Sequence, residues 1–284
     1  MPRCVNVLLS VLIFMLCQPA SGQELDGPVR INMELTDSLI SRCGRYPIYS
    51  AASTVRLDDA LSRLPHVKLK KGYSMDCVLP GIWGDPKNRG FFYCIRSRRK
   101  PVSIGDLAFC NDFLKMPEEE LLKKFKVREP EGILEVLPYD DEYETAAGIW
   151  ESVLVLHLMW MFLPSWDMSD TPLLVVDEQG LLGHIRDFHY SGTGHSGQTV
   201  ERVVEFLSAE DCVPTVARKS AQEYLVSYYT WEDVVGGLVR CEVNVVIKDG
   251  IPCISKKNDT VVVTPYWEDI FLTLLPRLRG STDC

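Results

Sequence analysis

Apolar and polar positions recur at two spacings along the chain, and each spacing predicts one kind of element. Residues 199–207 carry apolar side chains at 200, 203, 204 and 207, the spacing of one helical face. Thr199 precedes this stripe and is expected to be the helix N-cap. The aromatic run 91–95 is typical of a strand. Residues 149–163 are almost entirely apolar, and because they are too short to span a membrane they predict a buried helix.

Turn signals divide the second half of the chain into further elements. Two pairs of apolar segments each flank a turn and each predict a hairpin: residues 173–176 with 181–185, and residues 242–247 with 252–255. The second pair encloses Asp249-Gly250, a strong turn dipeptide. A third strand is expected at 261–264 and a helix at 266–275. Together these elements predict an α+β fold with an antiparallel sheet plus helices.

The first third of the chain contains one further helix signal. Pro117 is followed by the acidic residues 118–120, and the basic residues Lys123, Lys124 and Lys126 come at the other end. Acids at the start and bases at the end match the helix dipole. We therefore expect a helix here whose lysines only complement its C-terminus.

The N-terminus reads as a secretory signal peptide over residues 1–22. Arg3 supplies the positive charge, residues 7–17 form an apolar core, and Ala20-Ser21-Gly22 gives small residues before the cut. The alternative, a transmembrane anchor, needs about 20 apolar residues, and this run is about half that length. The sequence therefore predicts a secreted protein with no membrane span.

Composition and charge narrow the class of protein. The chain is 46% hydrophobic and 24% charged with a mean hydropathy of zero, which excludes a polytopic membrane protein and a disordered chain. Its net charge of −9 argues against binding duplex nucleic acid. Residues 56–128 hold sixteen Lys and Arg against nine Asp and Glu, whereas residues 129–210 hold two against sixteen.

This charge reversal predicts the domain organisation. We expect a small basic, cysteine-containing module at 23–128 and an acidic α+β domain at 129–284, with a linker within 129–145. The alternative is one domain in which the basic and acidic segments face and neutralise each other.

Eight cysteines remain once the signal peptide is removed, and an even number in an oxidising compartment predicts disulfides whose connectivity stays open. They are Cys43, Cys77, Cys94, Cys110, Cys212, Cys241, Cys253 and Cys284. Cys241 and Cys253 are expected to bond across the second hairpin. Cys284, near the C-terminus, is the cysteine most available for a disulfide-linked oligomer. Asn258-Asp259-Thr260 is a glycosylation sequon in an expected surface turn.

Catalytic and cofactor motifs are incomplete. Residues 194–198 resemble a serine-hydrolase elbow, but Gln198 stands where the second glycine belongs. His184, His189 and His195 cluster near Asp187 without metal-ligand spacing, and His184 is expected to point away in a strand. The sequence therefore predicts no catalytic residue, metal or cofactor, and a secreted serine hydrolase using the 194–198 loop is the alternative.

The clearest candidate for binding is a basic cluster. Its members follow or precede the aromatic strand: Lys87, Arg89, Arg96, Arg98, Arg99 and Lys100. Guanidinium groups suit sulfate, so we expect contact with heparan sulfate or an acidic receptor. If the strand continued, Arg96, Arg98 and Lys100 would share one face. The alternative is a solvated hairpin tip.

Residues 77–128 carry a family resemblance. Fifteen residues separate Cys94 from Cys110, and an amphipathic helix is expected after the second. This segment resembles the last two cysteines and C-terminal helix of a chemokine, and the whole layout is similar to the secreted chemokine-fusion proteins of cytomegaloviruses. The paired N-terminal cysteines of that family are absent. From the cysteine count we expect Cys94 and Cys110 to be bonded.

Taken together, these features predict a secreted, non-enzymatic binding protein. We expect a ligand, decoy or subunit of an extracellular or viral envelope complex, whose partner is a receptor, a partner glycoprotein or a glycosaminoglycan.

Overall fold

The computed structural model of the chain describes residues 27–43, 53–79, 91–99, 119–120, 123, 126–159, 173–188, 197–232 and 237–264. Its helices are α1 (Glu34–Cys43), α2 (Asp58–Leu61), α3 (Glu142–Val153), α4 (Glu178–Phe188) and α5 (Gly197–Ala209). Its strands are β1 (Val29–Arg30), β2 (Ser53–Arg56), β3 (Val67–Leu69), β4 (Tyr73–Leu79), β5 (Phe91–Arg96), β6 (Leu134–Val136), β7 (Leu173–Leu174), β8 (Thr215–Arg218), β9 (Glu223–Glu232), β10 (Gly237–Lys248) and β11 (Ile251–Val263).

The strands form three antiparallel sheets. The largest has six strands in the order β1-β8-β9-β10-β11, with β7 also pairing with β9. A second sheet has the order β2-β4-β5, and β3 pairs with β6 in a third. Helices combined with antiparallel sheets confirm the predicted α+β class.

Helices cover both faces of the large sheet. Neighbouring residues of a strand point to opposite faces, so β9 contributes side chains to both helix–sheet contacts. Tyr228 faces α3 and packs against Trp150 in a T-shaped arrangement, with the ring centroids 5.8 Å apart. The next residue, Tyr229, belongs to a second core that includes Leu181 of α4 and Val203 of α5. Each face of β9 is thus buried under a different helical layer.

Strand pairing and core packing both cross the position between residues 128 and 129 where the charge changes sign. β1 pairs with β8, and β3 pairs with β6. Leu57, Leu134 and Val243 belong to one buried cluster. Segments from both sides of the charge reversal therefore contribute to a common core.

The buried helix predicted at 149–163 is confirmed over its described part and begins earlier. Asp141 caps α3 by accepting a hydrogen bond from the Glu144 amide at 3.0 Å. The helix continues into a π-helical turn, Leu154–Leu158. The segment 129–145, predicted as a linker, instead contains β6 and the start of α3, because Leu134 and Ile133 are core residues.

The predicted hairpin at residues 173–185 is wrong, and so is the strand placement of His184. Residues 181–185 lie in α4, where Asp177 accepts a hydrogen bond from the Gly180 amide at 2.6 Å. Leu181 and Ile185 are one helical turn apart and face the second core. An Asp cap and this spacing favour a helix over a turn.

The helix predicted at 199–207 is confirmed as α5, although its start is different. α5 begins at Gly197, so Thr199 lies in the first turn and is buried rather than being the N-cap. Val203 is fully buried, whereas Val204 is 39% exposed, so the buried face excludes residue 204.

The second predicted hairpin is confirmed. Asp249 and Gly250 have φ values of 52° and 77°, as a two-residue type I′ turn requires. Residues 261–263 continue β11 and are not a separate strand, because β11 pairs with β10 from Ile251 to Val263. Asn258 consequently lies in a strand and not in a turn.

The described cysteines carry no disulfide. Cys77, Cys94, Cys212, Cys241 and Cys253 are all present as thiols. The predicted Cys241–Cys253 bond is wrong: Cys241 lies opposite Asp259, and Cys253 lies opposite Val246. The two positions are about 17 Å apart along β10 at roughly 3.4 Å per residue, beyond the reach of a disulfide.

Several predicted features lie outside the described residues. They are the signal peptide at 1–22, Cys110, Cys284, the side chain of Cys43, residues 189–196 and the helix at 266–275. Among the described helices, none is long and apolar enough to cross a bilayer.

Candidate anion-binding site

The basic cluster begins where β5 ends. The Arg99 amide donates to the Arg96 carbonyl at 2.8 Å, and the Ser97 amide donates to the carbonyl of Gly72 at 2.8 Å. These bonds turn the chain immediately after Arg96. The condition under which Arg96, Arg98 and Lys100 would share one face, a strand that continues past Arg96, is therefore not met. The turn directs the Arg99 backbone toward Arg96 instead.

A second basic segment packs against this turn. Arg128 forms an antiparallel bridge with Cys94, in which the Arg128 amide donates to the Cys94 carbonyl at 3.0 Å. The Arg99 guanidinium donates from Nη1 to the Lys126 carbonyl at 3.3 Å. Residues 126–128 are thereby held beside the end of β5.

A helical segment ends where the two basic segments meet. Residues 119, 120 and 123 are helical, as predicted. The Lys126 amide donates to the Lys123 carbonyl at 3.2 Å, and Lys126 has a φ of 54°, which ends the helical course. This geometry places the end of the helix next to Arg96 and Arg99.

Together these segments enclose a surface cavity of about 380 Å³. Seven of the described residues line it: Tyr73, Arg96, Arg99, Lys123, Lys126, Val127 and Arg128. Five of the seven are cationic and none is acidic. Within the described part of the chain, no carboxylate forms an ion pair with any of the five.

Tyr73 supports one wall of the cavity. The Arg96 guanidinium lies 5.8 Å from the centre of the Tyr73 ring, and its Nε donates to the Tyr73 hydroxyl at 3.4 Å. This hydrogen bond from Arg96 lowers the pKa of Tyr73. The contact orients a guanidinium group without neutralising it, because the tyrosine is uncharged at neutral pH.

The described groups of this cavity can bind an anion. None of the described residues that line the cavity is a carboxylate, imidazole or thiol that could act as a base or nucleophile. Arginine offers planar forks that match sulfate, phosphate and carboxylate, while lysine offers point charges. The arrangement is therefore suited to holding an anion with several negative groups.

Part of the site could be found from the sequence. Arg96 and Arg99 line the cavity, whereas Arg98 is exposed outside its lining. Lys87, Arg89 and Lys100 lie outside the described residues. Tyr73 and Arg128 carry no signal in the sequence that points to a binding site, and Lys123 and Lys126 were expected only to complement a helix end. The three-residue spacing of these lysines, which puts them on one helical face, was the available signal.

Some basic residues of the first third do pair with the acidic half. His66 contacts Glu144 and Glu151, and Lys68 Nζ lies 3.7 Å from Glu135 Oε2. These pairs lie at β3, β6 and α3, and none of them involves a residue that lines the cavity. The acidic segment thus neutralises only some of the described basic residues between 56 and 128, and not those that line the cavity.

The described residues offer little for nucleophilic catalysis by cysteine, metal binding or serine-hydrolase chemistry. Burial raises the pKa of the Cys94 and Cys212 thiols to about 12 and that of Cys241 to about 11, so these thiols are poor nucleophiles. No three His, Cys, Asp or Glu side chains in the described ranges come together as metal ligands. Ser196, on which the hydrolase alternative depends, lies outside those ranges.

Comparison with known proteins gives no relative from which a role could be transferred. No protein-family model matches the chain, and no curated protein or solved structure is significantly similar to it.

Proposed function

We propose that this is a secreted, non-enzymatic binding protein that recognises sulfated glycosaminoglycan of the heparan sulfate type through the basic cavity. The observation that carries the proposal is the convergence of five cationic side chains around one cavity, with no acidic side chain among the described residues that line it. The chain as a whole has a net charge of −9, so this local concentration of positive charge runs against its composition.

The arrangement of the cations fits a sulfated chain better than a single small anion. Arg96 and Arg99 come from the end of β5, whereas Lys123, Lys126 and Arg128 come from the segment opposite. All five side chains are exposed and reach solvent. A polymer with sulfates along its length can contact both walls at once, and each charge-assisted hydrogen bond contributes about 1.5–3 kcal/mol.

Secretion and disulfide bonding belong to the same proposal. The signal peptide at 1–22 supports export, and export would expose the thiols to an oxidising compartment. We include an intermolecular bond through Cys284 on this basis. The predicted Cys94–Cys110 bond is wrong, because Cys94 is a buried thiol without a disulfide. The chemokine-like interpretation of residues 77–128 stays part of the proposal, and the described residues 119, 120 and 123 after Cys110 are helical.

The test is retention on immobilised heparin. The variant Arg99→Ala/Lys123→Ala removes one cation from each wall of the cavity. The matched control, Lys248→Ala/Lys256→Ala, removes the same charge from exposed positions on the β10–β11 hairpin. We expect the cavity variant to elute at clearly lower salt than wild type and the control to elute near wild type, since exposed charges act only within a Debye length of about 8 Å at 0.15 M salt.

Equal elution of the two variants would contradict the proposal, because it would show that retention follows total charge and not the cavity. Thermal melting of all three proteins checks that the substitutions leave the fold intact.

A further inference from the structure

The large sheet ends in a long strand with an exposed outer edge. β11 spans Ile251–Val263, and its partner in the described part of the chain is β10 on one side only. Residues 255–261 are all exposed. A long edge strand with unpaired amide and carbonyl groups is a template for pairing with another strand, so natural proteins protect such edges.

The charges on β11 protect the edge only in part. Lys257 Nζ lies 3.1 Å from Asp259 Oδ2, so these two charges largely cancel. Beyond Asp259 the strand carries Thr260 and Val261, and Val261 is 49% exposed. The half of the strand from residue 258 onward therefore has a weakly charged edge that ends in three valines at 261–263, and such an edge can self-associate.

Asn258 lies at the start of this unprotected half. It pairs with Glu242 in the register of the two strands, and its side chain is exposed. It thus lies on the same sheet face as the exposed Arg240–Glu242 ion pair, where Arg240 Nη2 is 3.1 Å from Glu242 Oε1. A large group attached here would project into solvent without displacing any core residue.

We propose that Asn258 carries an N-linked glycan, and that this glycan keeps the outer edge of β11 from pairing with β11 of a second copy of the chain. Asn258-Asp259-Thr260 supplies the acceptor sequence. The inference rests on the secretion that the proposed function includes, because only an exported chain meets the glycosylation machinery.

The modification is a group transfer. The Asn258 amide nitrogen forms a bond to C1 of the first sugar of an oligosaccharide carried on a polyprenyl diphosphate. The bond between C1 and the diphosphate oxygen breaks, the lipid diphosphate leaves with that electron pair, and the amide nitrogen gives up one proton. No oxidant or reductant is needed. The transfer takes place on the extended chain, so the later position of Asn258 in a strand does not block it.

An unprotected edge has a specific partner in a second β11. Two identical strands can pair antiparallel about a two-fold axis, which gives a closed, self-complementary contact. A bulky hydrated glycan at Asn258 occupies the space beside that edge. It prevents a second strand from approaching to about 4.7–4.9 Å, the distance between paired strands.

The test uses the full chain secreted from animal cells and collected from the medium. The variants are Asn258→Gln and Thr260→Ala, which remove the sequon, and Thr260→Ser, which keeps it. We expect an N-glycosidase to lower the mass of wild type and Thr260→Ser but not of the other two. In sedimentation, Asn258→Gln and Thr260→Ala should associate with rising concentration, while wild type and Thr260→Ser stay monomeric under reducing conditions.

A further variant, Asn258→Gln/Val261→Lys, locates the contact. A lysine at position 261 blocks a strand edge by charge, so this variant should return to a monomer without any glycan. Secreted wild type whose mass the glycosidase leaves unchanged would overturn the inference, and so would sequon variants that remain monomeric. Thermal melting separates association of folded chains from misfolding.

Heparin retention of the same wild-type preparation keeps the two proposals apart. A secreted, unglycosylated protein that binds heparin overturns only this inference. A glycosylated protein that does not bind heparin overturns only the cavity as a glycosaminoglycan site. A chain that stays inside the cell without a glycan overturns both through the loss of secretion.

Discussion

His66 joins the basic and acidic parts of the chain through a buried contact. Its ring lies between two carboxylates of α3, with Nδ1 at 2.7 Å from Glu151 Oε1 and Nε2 against Glu144. Its backbone amide donates to Glu151 Oε2 at 2.8 Å. His66 is 7% exposed and Glu151 is 3% exposed, so the charge of each depends on the other. The Tyr139 ring packs against the imidazole in a T-shaped arrangement, with the two ring centroids 5.1 Å apart.

Replacing His66 should be among the most damaging single substitutions. His66→Ala leaves Glu151 buried without its partner, and breaking a buried ion pair costs about 3–5 kcal/mol. Glu144 is the matched control because its side chain is 42% exposed, so Glu144→Gln should cost about 1 kcal/mol or less. Urea denaturation of the two variants measures the difference. Equal losses would show that Glu151 is satisfied without His66.

The same contact predicts how stability depends on pH. Burial alone would lower the pKa of His66, but the hydrogen bonds and charges of Glu151 and Glu144 outweigh it and raise the pKa above its usual 6.5. The folded state therefore holds the proton more tightly than the unfolded state. The stabilisation from His66 is complete below pH 6.5 and is lost as pH rises through the raised value.

Urea denaturation between about pH 6 and pH 9 tests this direction. We expect the free energy of unfolding to fall over this range in wild type and to fall less in His66→Gln, which cannot titrate. A wild-type stability that rises with pH while that of the variant stays flat would contradict the assignment.

At the scale of elements, the sequence was informative where the signal was local. The β10–β11 turn was predictable because two adjacent residues, Asp249 and Gly250, supply the positive φ angles themselves. α4 was not, because Leu181 and Ile185 suit a short strand as well as a helical face. What decided it was the Asp177 cap together with Tyr229 and Trp231, which come from a distant strand and bury that face.

Two glycine substitutions should have opposite effects on stability. Gly250→Ala should cost about 1–2 kcal/mol, the usual penalty for a side chain in the left-handed region. The added Cβ itself meets only the Val136 carbonyl at 3.7 Å, so the cost comes from the backbone. Gly183→Ala, inside α4 with open space at its Cβ, should stabilise by about 0.5–1 kcal/mol. Thermal melting of both variants checks the signs, and a loss at position 183 would contradict the helical placement.

At the scale of the whole molecule, the basic cavity depends on contacts between residues that are far apart in the sequence, and the sequence pattern does not predict these contacts. Arg96 and Arg99 were predicted because they stand close together in the sequence. Arg128 was not, because only its bridge with Cys94, more than thirty residues away in sequence, brings it to the same cavity. The end of β5 at Arg96 has a similar cause: the Ser97 amide donates a hydrogen bond to the carbonyl of Gly72 in another segment, and the chain turns there.

The fold determines which charges of the basic and acidic segments pair with each other. The acidic half contributes the carboxylates that surround His66 and pair with Lys68, whereas the five cavity cations have no such partner among the described residues. The described part of this acidic protein thereby keeps a concentrated positive surface at the cavity, and we expect such a surface to steer polyanions toward it.

The comparison of Arg98 with Arg99 tests the cavity most directly. These neighbours carry the same charge and are both exposed, but only Arg99 lines the cavity. The measurement is the Kd for a heparin fragment over a range of salt concentrations, in wild type, Arg98→Ala and Arg99→Ala. We expect Arg99→Ala to weaken binding about tenfold, the equivalent of about 1.4 kcal/mol, and to reduce the salt dependence by about one released ion. Arg98→Ala should stay close to wild type. Equal losses in the two variants would contradict the account, because a diffuse basic surface would then explain the binding without any cavity.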